Sequence, residues 1–115
     1  MNAKFIGAAF AAAALLSASP ALASKRDTAR TTVAAAEAKI SMNDKATLTG
    51  QAADIQARAR AALSEAQLQW SLSKEDKTIA AATEASALAD LAAATQQKQV
   101  AQDEARAQET ALVPQ

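Results

Sequence analysis

Small apolar residues recur at helical spacing in three stretches of the chain, and each stretch is predicted to be an α-helix. The first covers about residues 28–42. Its apolar positions fall at intervals of four, three and four, which puts them on one helical face: Ala29, Val33, Ala36 and Ile40. Asp27 or Thr28 can cap the start by accepting a backbone N–H. Asn43 can cap the end because asparagine tolerates the left-handed conformation.

A second helix is predicted over about residues 51–71, after a polar break at residues 43–50 that ends in glycine. Its apolar face consists of Ala52, Ile55, Ala59, Ala62, Leu63, Ala66 and Trp70. Asp54 and Arg58 lie away from that face. They are four residues apart with the acid first, the favourable order for a surface ion pair worth about 0.3–0.5 kcal/mol.

A third helix is predicted over about residues 74–109. Ser73 and Asp76 are placed as in a capping box, with aspartate in the position usually held by glutamate or glutamine. The apolar face is made of Ala81, Ala85, Leu88, Ala89 and Ala92. The pattern weakens in the polar run 96–99, so we expect the C-terminal end of this helix to fray or to project beyond the body.

These elements predict an all-α fold. A turn of only three residues, 71–73, makes the second and third helices an antiparallel helical hairpin. Alanines on both facing sides let the two backbones approach closely. The first helix is expected either to pack on the hairpin as a three-helix bundle or to stay loose. A strict apolar heptad is not sustained over three or four repeats, which argues against a long uninterrupted coiled coil.

The first 23 residues have the pattern of a cleavable secretory signal peptide. Lys4 precedes an uncharged apolar run at 5–16, and Ala21-Leu22-Ala23 precedes Ser24, as at a signal peptidase site. The alternative is a permanent membrane anchor, but a helix of about 18 Å from this run is shorter than the hydrocarbon core of about 30 Å. We expect cleavage after Ala23 and a periplasmic protein of residues 24–115. It would have no lipid anchor, because Ser24 stands where a lipoprotein has cysteine.

The composition of residues 24–115 favours helices and limits the core. Alanine supplies 26 of these 92 residues, and Gly50 and Pro114 are the only glycine and proline. Alanine has the highest helix propensity. Only 15 residues are large and apolar, each worth about 1.5–3 kcal/mol when buried. We therefore expect modest stability, or stability that depends on self-association or on a partner.

Charge and residue types exclude several classes of function. Eleven basic and twelve acidic residues follow Ala23, so no strong field attracts nucleic acid or an anionic membrane. Histidine and cysteine are absent, and adjacent acids on a helix point about 100° apart, so no metal or other cofactor is predicted. Residues 71–74 match the S-x-x-K motif of penicillin-binding proteins, but the other elements of those enzymes are missing. We predict a protein that is not an enzyme, with no catalytic residues and no small-molecule substrate.

Four large side chains form a candidate packing or partner face, namely Ile55, Leu63, Trp70 and Leu88. Trp70 has two interpretations. It is either the largest core residue at the end of an apolar stripe or an anchor for a partner, since tryptophan dominates interface hot spots. Its register with Ile55 and Ala59 favours the core.

Three segments carry a resemblance to a known family: AAAEA at residues 34–38, Asp54-Ile55 followed by Arg58, Arg60 and Leu63, and ATEASALADLA at residues 82–92. In these the chain resembles a domain-of-unknown-function family of short alanine-rich bacterial envelope proteins. Its members are small exported helical hairpins, many of them lipoproteins, some placed ahead of an OmpA-like peptidoglycan-binding domain. The family's tyrosine–alanine–proline segment is replaced by residues 47–50, and the lipoprotein cysteine is missing, so membrane anchoring does not carry over. The resemblance implies a localisation and an architecture, not an activity.

Two functions remain open at this point. The first is a non-enzymatic structural or protein-interaction module of the bacterial cell envelope, which presents a helical face to an envelope protein or to a second copy of itself. The alternative is a stress-protective or chaperone-like protein that is partly disordered alone. The thin, alanine-rich core is compatible with both.

Overall fold

The computed structural model describes residues 21–112, with side chains from Ser24 onward, and the fold is all-α. Helix α1 is Ala21–Ala46, helix α2 is Gly50–Ser71 and helix α3 is Glu75–Leu112. The predicted signal peptide lies outside the described residues except for 21–23, which belong to α1. Within the described part of the chain, no helix is long and apolar enough to cross a membrane.

The three helices form one bundle. Helices α2 and α3 lie antiparallel along each other, joined by residues 72–74, and α1 packs mainly on α3 with a smaller contact to α2. This confirms the predicted hairpin and decides that the first helix docks on it. Because α1 and α2 touch little, a groove runs between them.

Alanine makes most of the core. The buried apolar residues among those described are nine alanines and two isoleucines: Ala29, Ala36, Ile40, Ala52, Ile55, Ala59, Ala66, Ala82, Ala85, Ala89 and Ala92. The predicted faces of α1 and α2 are thus largely confirmed, whereas on α3 Ala82 is buried and the predicted Ala81 only half-buried. Side chains this small bring the helix backbones close together, and the largest fully buried side chain is that of Thr78.

The predicted boundaries of α1 are wrong at both ends. Thr28 lies inside the helix, where its hydroxyl donates to the carbonyl of Ser24 at 2.8 Å, so neither it nor Asp27 is the N-cap. Asn43 does not end the helix, because its side chain is hydrogen-bonded in the interior and its backbone stays helical. The left-handed residue after α1 is Thr47, with φ 56°.

Ser73 ends α2 instead of capping α3. Its φ is 60°, its N–H donates to the carbonyl of Trp70 at 2.9 Å, and the N–H of Lys74 donates to the carbonyl of Gln69 at 2.9 Å. These two bonds make a Schellman motif. The predicted capping box is therefore wrong, since the first carbonyl acceptor of α3 is that of Lys74, bonded to the N–H of Thr78.

The C-terminal part of α3 is helical and projects from the bundle. Helix α3 has 38 residues and α2 has 22, so α3 is about 57 Å long against about 33 Å. Every residue from 101 to 112 is exposed. The prediction that this end projects is confirmed, but the polar run 96–99 is not part of the projection, because Gln96 and Gln99 contact the start of α2.

The predicted surface pair of Asp54 and Arg58 does not form. Both side chains are exposed, and neither takes part in an ion pair of the described residues. The arginine of α2 that does pair is Arg60, which reaches Asp44 of α1. An ion pair between two helices thus forms in place of the predicted pair within α2.

Candidate partner-binding site

Trp70 lies in the last turn of α2, half-buried beneath two arginines of α1. The guanidinium carbon of Arg26 is 4.3 Å from the centre of the indole ring and that of Arg30 is 5.9 Å away. Arg26 also pairs with Glu75 at the start of α3, with an N–O distance of 3.0 Å. The cation–π contact is worth about 0.5–1 kcal/mol at a partly exposed site. Together with the Arg26–Glu75 ion pair, it links all three helices at this end of the bundle.

A groove of about 350 Å³ opens beside Trp70, and we call it the Trp70 groove; it is lined by Arg30, Val33, Ala34, Glu37, Gln67 and Trp70. Its apolar part comes from Val33, Ala34 and the indole ring. At its rim the amide of Gln67 donates to the carboxylate of Glu37 at 3.1 Å. An apolar floor with a few polar groups at the edge is the usual make-up of a binding pocket, and this volume is at the lower end of the range.

The cation at the rim is available to a partner. Within residues 24–112, the only ion-pair partner of Arg30 is Asp27 on its own helix, at 3.3 Å, and both side chains are more than 60% exposed. An exposed pair of this kind contributes little to stability. The guanidinium can therefore exchange this carboxylate for one on a bound protein at small cost.

Of the four residues of the predicted face, three belong to the packing. Ile55 is buried, and Leu63 and Leu88 are partly buried against the cluster formed by Ala36, Ile40, Ala59, Ala85 and Ala89. Trp70 is outside that cluster and lines the open groove. The structure therefore separates Trp70 from the other three, and its role as a core residue or as a partner anchor stays a prediction.

A polar network that the sequence analysis missed crosses the bundle. Asn43 of α1 donates to Oε1 of Gln56 at 2.9 Å and to the carbonyl of Ala89 in α3 at 2.8 Å. Gln56 in turn donates to the carbonyl of Ile40 at 3.0 Å. Gln56 is 2% exposed. Its position, four residues after Ala52 and three before Ala59, is the signal that could have placed it on the buried face.

Two glutamines of α3 cap the start of α2. The N–H of Thr49 donates to Oε1 of Gln96 at 3.0 Å, and that of Ala52 donates to Oε1 of Gln99 at 3.2 Å. The side chain of Thr49 makes no capping bond of its own. Because a helix leaves its first four N–H groups without partners, these long side chains replace the missing local cap.

The described residues offer no metal-binding cluster and no nucleophile paired with a base. No group of three or more acidic, histidine or cysteine side chains comes together among residues 21–112. The S-x-x-K segment is the turn after α2, where the hydroxyl of Ser71 donates to the carbonyl of Leu68 at 2.7 Å. The same residues are thus accounted for by the end of a helix.

Comparison with known proteins finds no matching family model, no significantly similar curated protein and no significantly similar solved structure. The resemblance to the alanine-rich envelope family therefore stays a prediction.

Proposed function

We propose that the protein is a non-enzymatic interaction module of the bacterial cell envelope, which acts in the periplasm after removal of residues 1–23. The single observation that carries the interaction role is the Trp70 groove: an aromatic ring, Val33 and Ala34 form an apolar site between two helices. The signal-peptide pattern and the family resemblance support the periplasmic localisation.

The partner is an envelope protein that inserts an apolar side chain into the groove and places a carboxylate beside Arg30. The apolar group covers the indole ring and removes its exposed part from water. The carboxylate replaces Asp27 as the ion-pair partner of Arg30. Tryptophan and arginine are the residue types most enriched among hot spots, and here they share one groove.

Photo-crosslinking in living cells tests the interaction. A photoreactive amino acid in place of Ala34 is expected to capture a defined envelope protein, and the additional substitution Trp70→Ala is expected to abolish the capture. The same replacement at Ala57, an exposed position of α2 away from the groove, is the matched control. Equal capture at both positions, or none at either, would contradict the proposal.

The periplasmic localisation is tested by a separate experiment. Cell fractionation followed by mass spectrometry of the intact protein is expected to find it in the periplasm with Ser24 as its first residue. A protein that retains residues 1–23 in the cytoplasm would remove the basis for an envelope partner.

A stress-protective, chaperone-like role is the second candidate, and the observation that favours it is how little large apolar surface is buried. Among residues 24–112, only Ile40 and Ile55 are buried large apolar residues, while Met42, Leu68 and Leu91 are at least half exposed. Such a bundle can open readily and offer apolar surface to unfolded clients. Suppression of aggregation of a model client at equimolar protein would support this role; no effect at a several-fold excess would count against it.

A further inference from the structure

Helix α3 presents a second apolar surface, which we call the outer face of α3. Seven of its ten positions are apolar and follow intervals of three and four residues: Ala80, Ala87, Leu91, Ala94, Ala101, Ala105 and Leu112. Glu84, Lys98 and Gln108 hold the remaining positions of the same series. This is the a/d spacing with which two helices pack along each other.

The outer face is free of both other helices. It lies on the opposite side of α3 from the buried residues Ala82, Ala85, Ala89 and Ala92, and all ten of its positions are exposed. Leu91, at its centre, is 50% exposed and Leu112, at its end, is 82% exposed. A row of exposed apolar side chains on this scale is typical of an interaction surface.

The charges along this face become complementary when a second copy of α3 lies antiparallel to the first. Glu84 lies seven residues before Leu91 and Lys98 seven residues after it. Both side chains are exposed, and neither forms an ion pair within residues 24–112. A second α3 that lies antiparallel and is centred on Leu91 places the Glu84 of each copy against the Lys98 of the other.

The face is long enough for a dimer. The part of α3 that is symmetric about Leu91 runs over residues 75–107, which is about 50 Å of helix. A strip of that length and about 10 Å wide covers about 500 Å² on each copy, or about 1,000 Å² in total, at the lower limit of specific interfaces. The dimer is therefore expected to dissociate on dilution.

We propose that two copies of the chain associate through the outer faces of α3, antiparallel, with Leu91 on the two-fold axis. Glu84 of each copy then pairs with the partner's Lys98, as a two-fold interface requires. Alanines at most of the other positions let the two helices approach closely. This surface is separate from the Trp70 groove, so the dimer and the envelope partner can each fail without the other.

Charge reversal tests the pairing. Glu84→Lys and Lys98→Glu, made singly, each turn two attractions into two repulsions and are expected to raise the dimer dissociation constant about tenfold, as measured by sedimentation equilibrium of the purified protein. The double variant is expected to restore it. Asp54→Lys, an exposed charge change on α2, is the control and should have no effect. Failure of the double variant to recover affinity would overturn the antiparallel register.

Disulfide trapping tests the orientation, since the natural chain has no cysteine. Leu91→Cys is expected to form a covalent dimer on mild oxidation, and a mixture of Glu84→Cys and Lys98→Cys chains is expected to give mainly the mixed dimer. Ser64→Cys on α2 is the control and should remain reduced. Dimers of Glu84→Cys with itself would instead indicate a parallel pair, and a monomeric mass at every concentration up to about 1 mM would overturn the proposal altogether.

Discussion

Asn43 and Gln56 form a hydrogen bond of 2.9 Å, side chain to side chain, between α1 and α2, and both residues are more than 90% buried. Each amide also bonds to a main-chain carbonyl of another helix, Ala89 for Asn43 and Ile40 for Gln56. Two polar side chains thus satisfy each other inside a core of alanines. Because alanines pack in many registers with similar energy, we expect this pair to help select the register of α1 on the hairpin.

The first prediction concerns that pair. Gln56→Ala removes its bonds and leaves buried groups without partners, so we expect a loss of about 2–4 kcal/mol in the free energy of unfolding, measured by urea denaturation followed by circular dichroism. Gln51→Ala, an exposed glutamine on the same helix, is the control and should change little. The double variant with Asn43→Ala should lose clearly less than the sum of the two single losses; strict additivity would show that the pair does not act as a unit.

The second prediction concerns the turn after α2. Ser73 has a φ of 60°, a conformation that costs a residue with a side chain about 1–2 kcal/mol and costs glycine almost nothing. Ser73→Gly is therefore expected to raise the melting temperature, with a gain of about 1 kcal/mol. Ser71→Gly, two residues earlier and inside α2, should lower it instead. A melting temperature lowered by both would mean that Ser73 does not hold the left-handed conformation in solution.

The third prediction concerns the cap supplied from α3. Gln99→Ala removes the acceptor for the N–H of Ala52, and we expect a loss of about 1 kcal/mol, the usual cost of losing a helix cap. Gln97→Ala, an exposed glutamine two residues away on the same helix, is the control. Amide hydrogen exchange at Ala52 should accelerate in the first variant alone. Unchanged exchange in both would show that Gln99 does not cap α2.

The fourth prediction uses Trp70, the only tryptophan in the chain, as a fluorescent reporter. Arg26→Ala removes the guanidinium that covers the ring at 4.3 Å, so water reaches the indole and its emission should shift to longer wavelength. The expected loss of stability is about 0.5–1 kcal/mol. Lys25→Ala, which changes a neighbouring charge that does not cover the ring, should leave the emission where it is. An identical spectrum in all three proteins would place Arg26 away from the ring.

The helices and most of their buried faces could be predicted from local sequence patterns. Alanine content and the near absence of glycine and proline after Ala23 favour helix locally, and the spacing of Ala29, Ala36 and Ile40 is a local property that the folded protein keeps. The short turn between α2 and α3 likewise determined their antiparallel packing. Each of these follows from interactions within a few residues along the chain.

The ends of the helices and the identity of the buried polar residues depend on contacts between the helices. Asn43 and Ser73 are residue types typical of helix caps. Asn43, however, stays within α1 because its side chain bonds to α2 and α3, and Ser73 ends α2 instead of starting α3. The same holds for Trp70, which shares a helical face with Ile55 and yet lines a groove beneath Arg26. These outcomes depend on contacts between residues that are far apart in the chain, and a local sequence pattern cannot reveal such contacts.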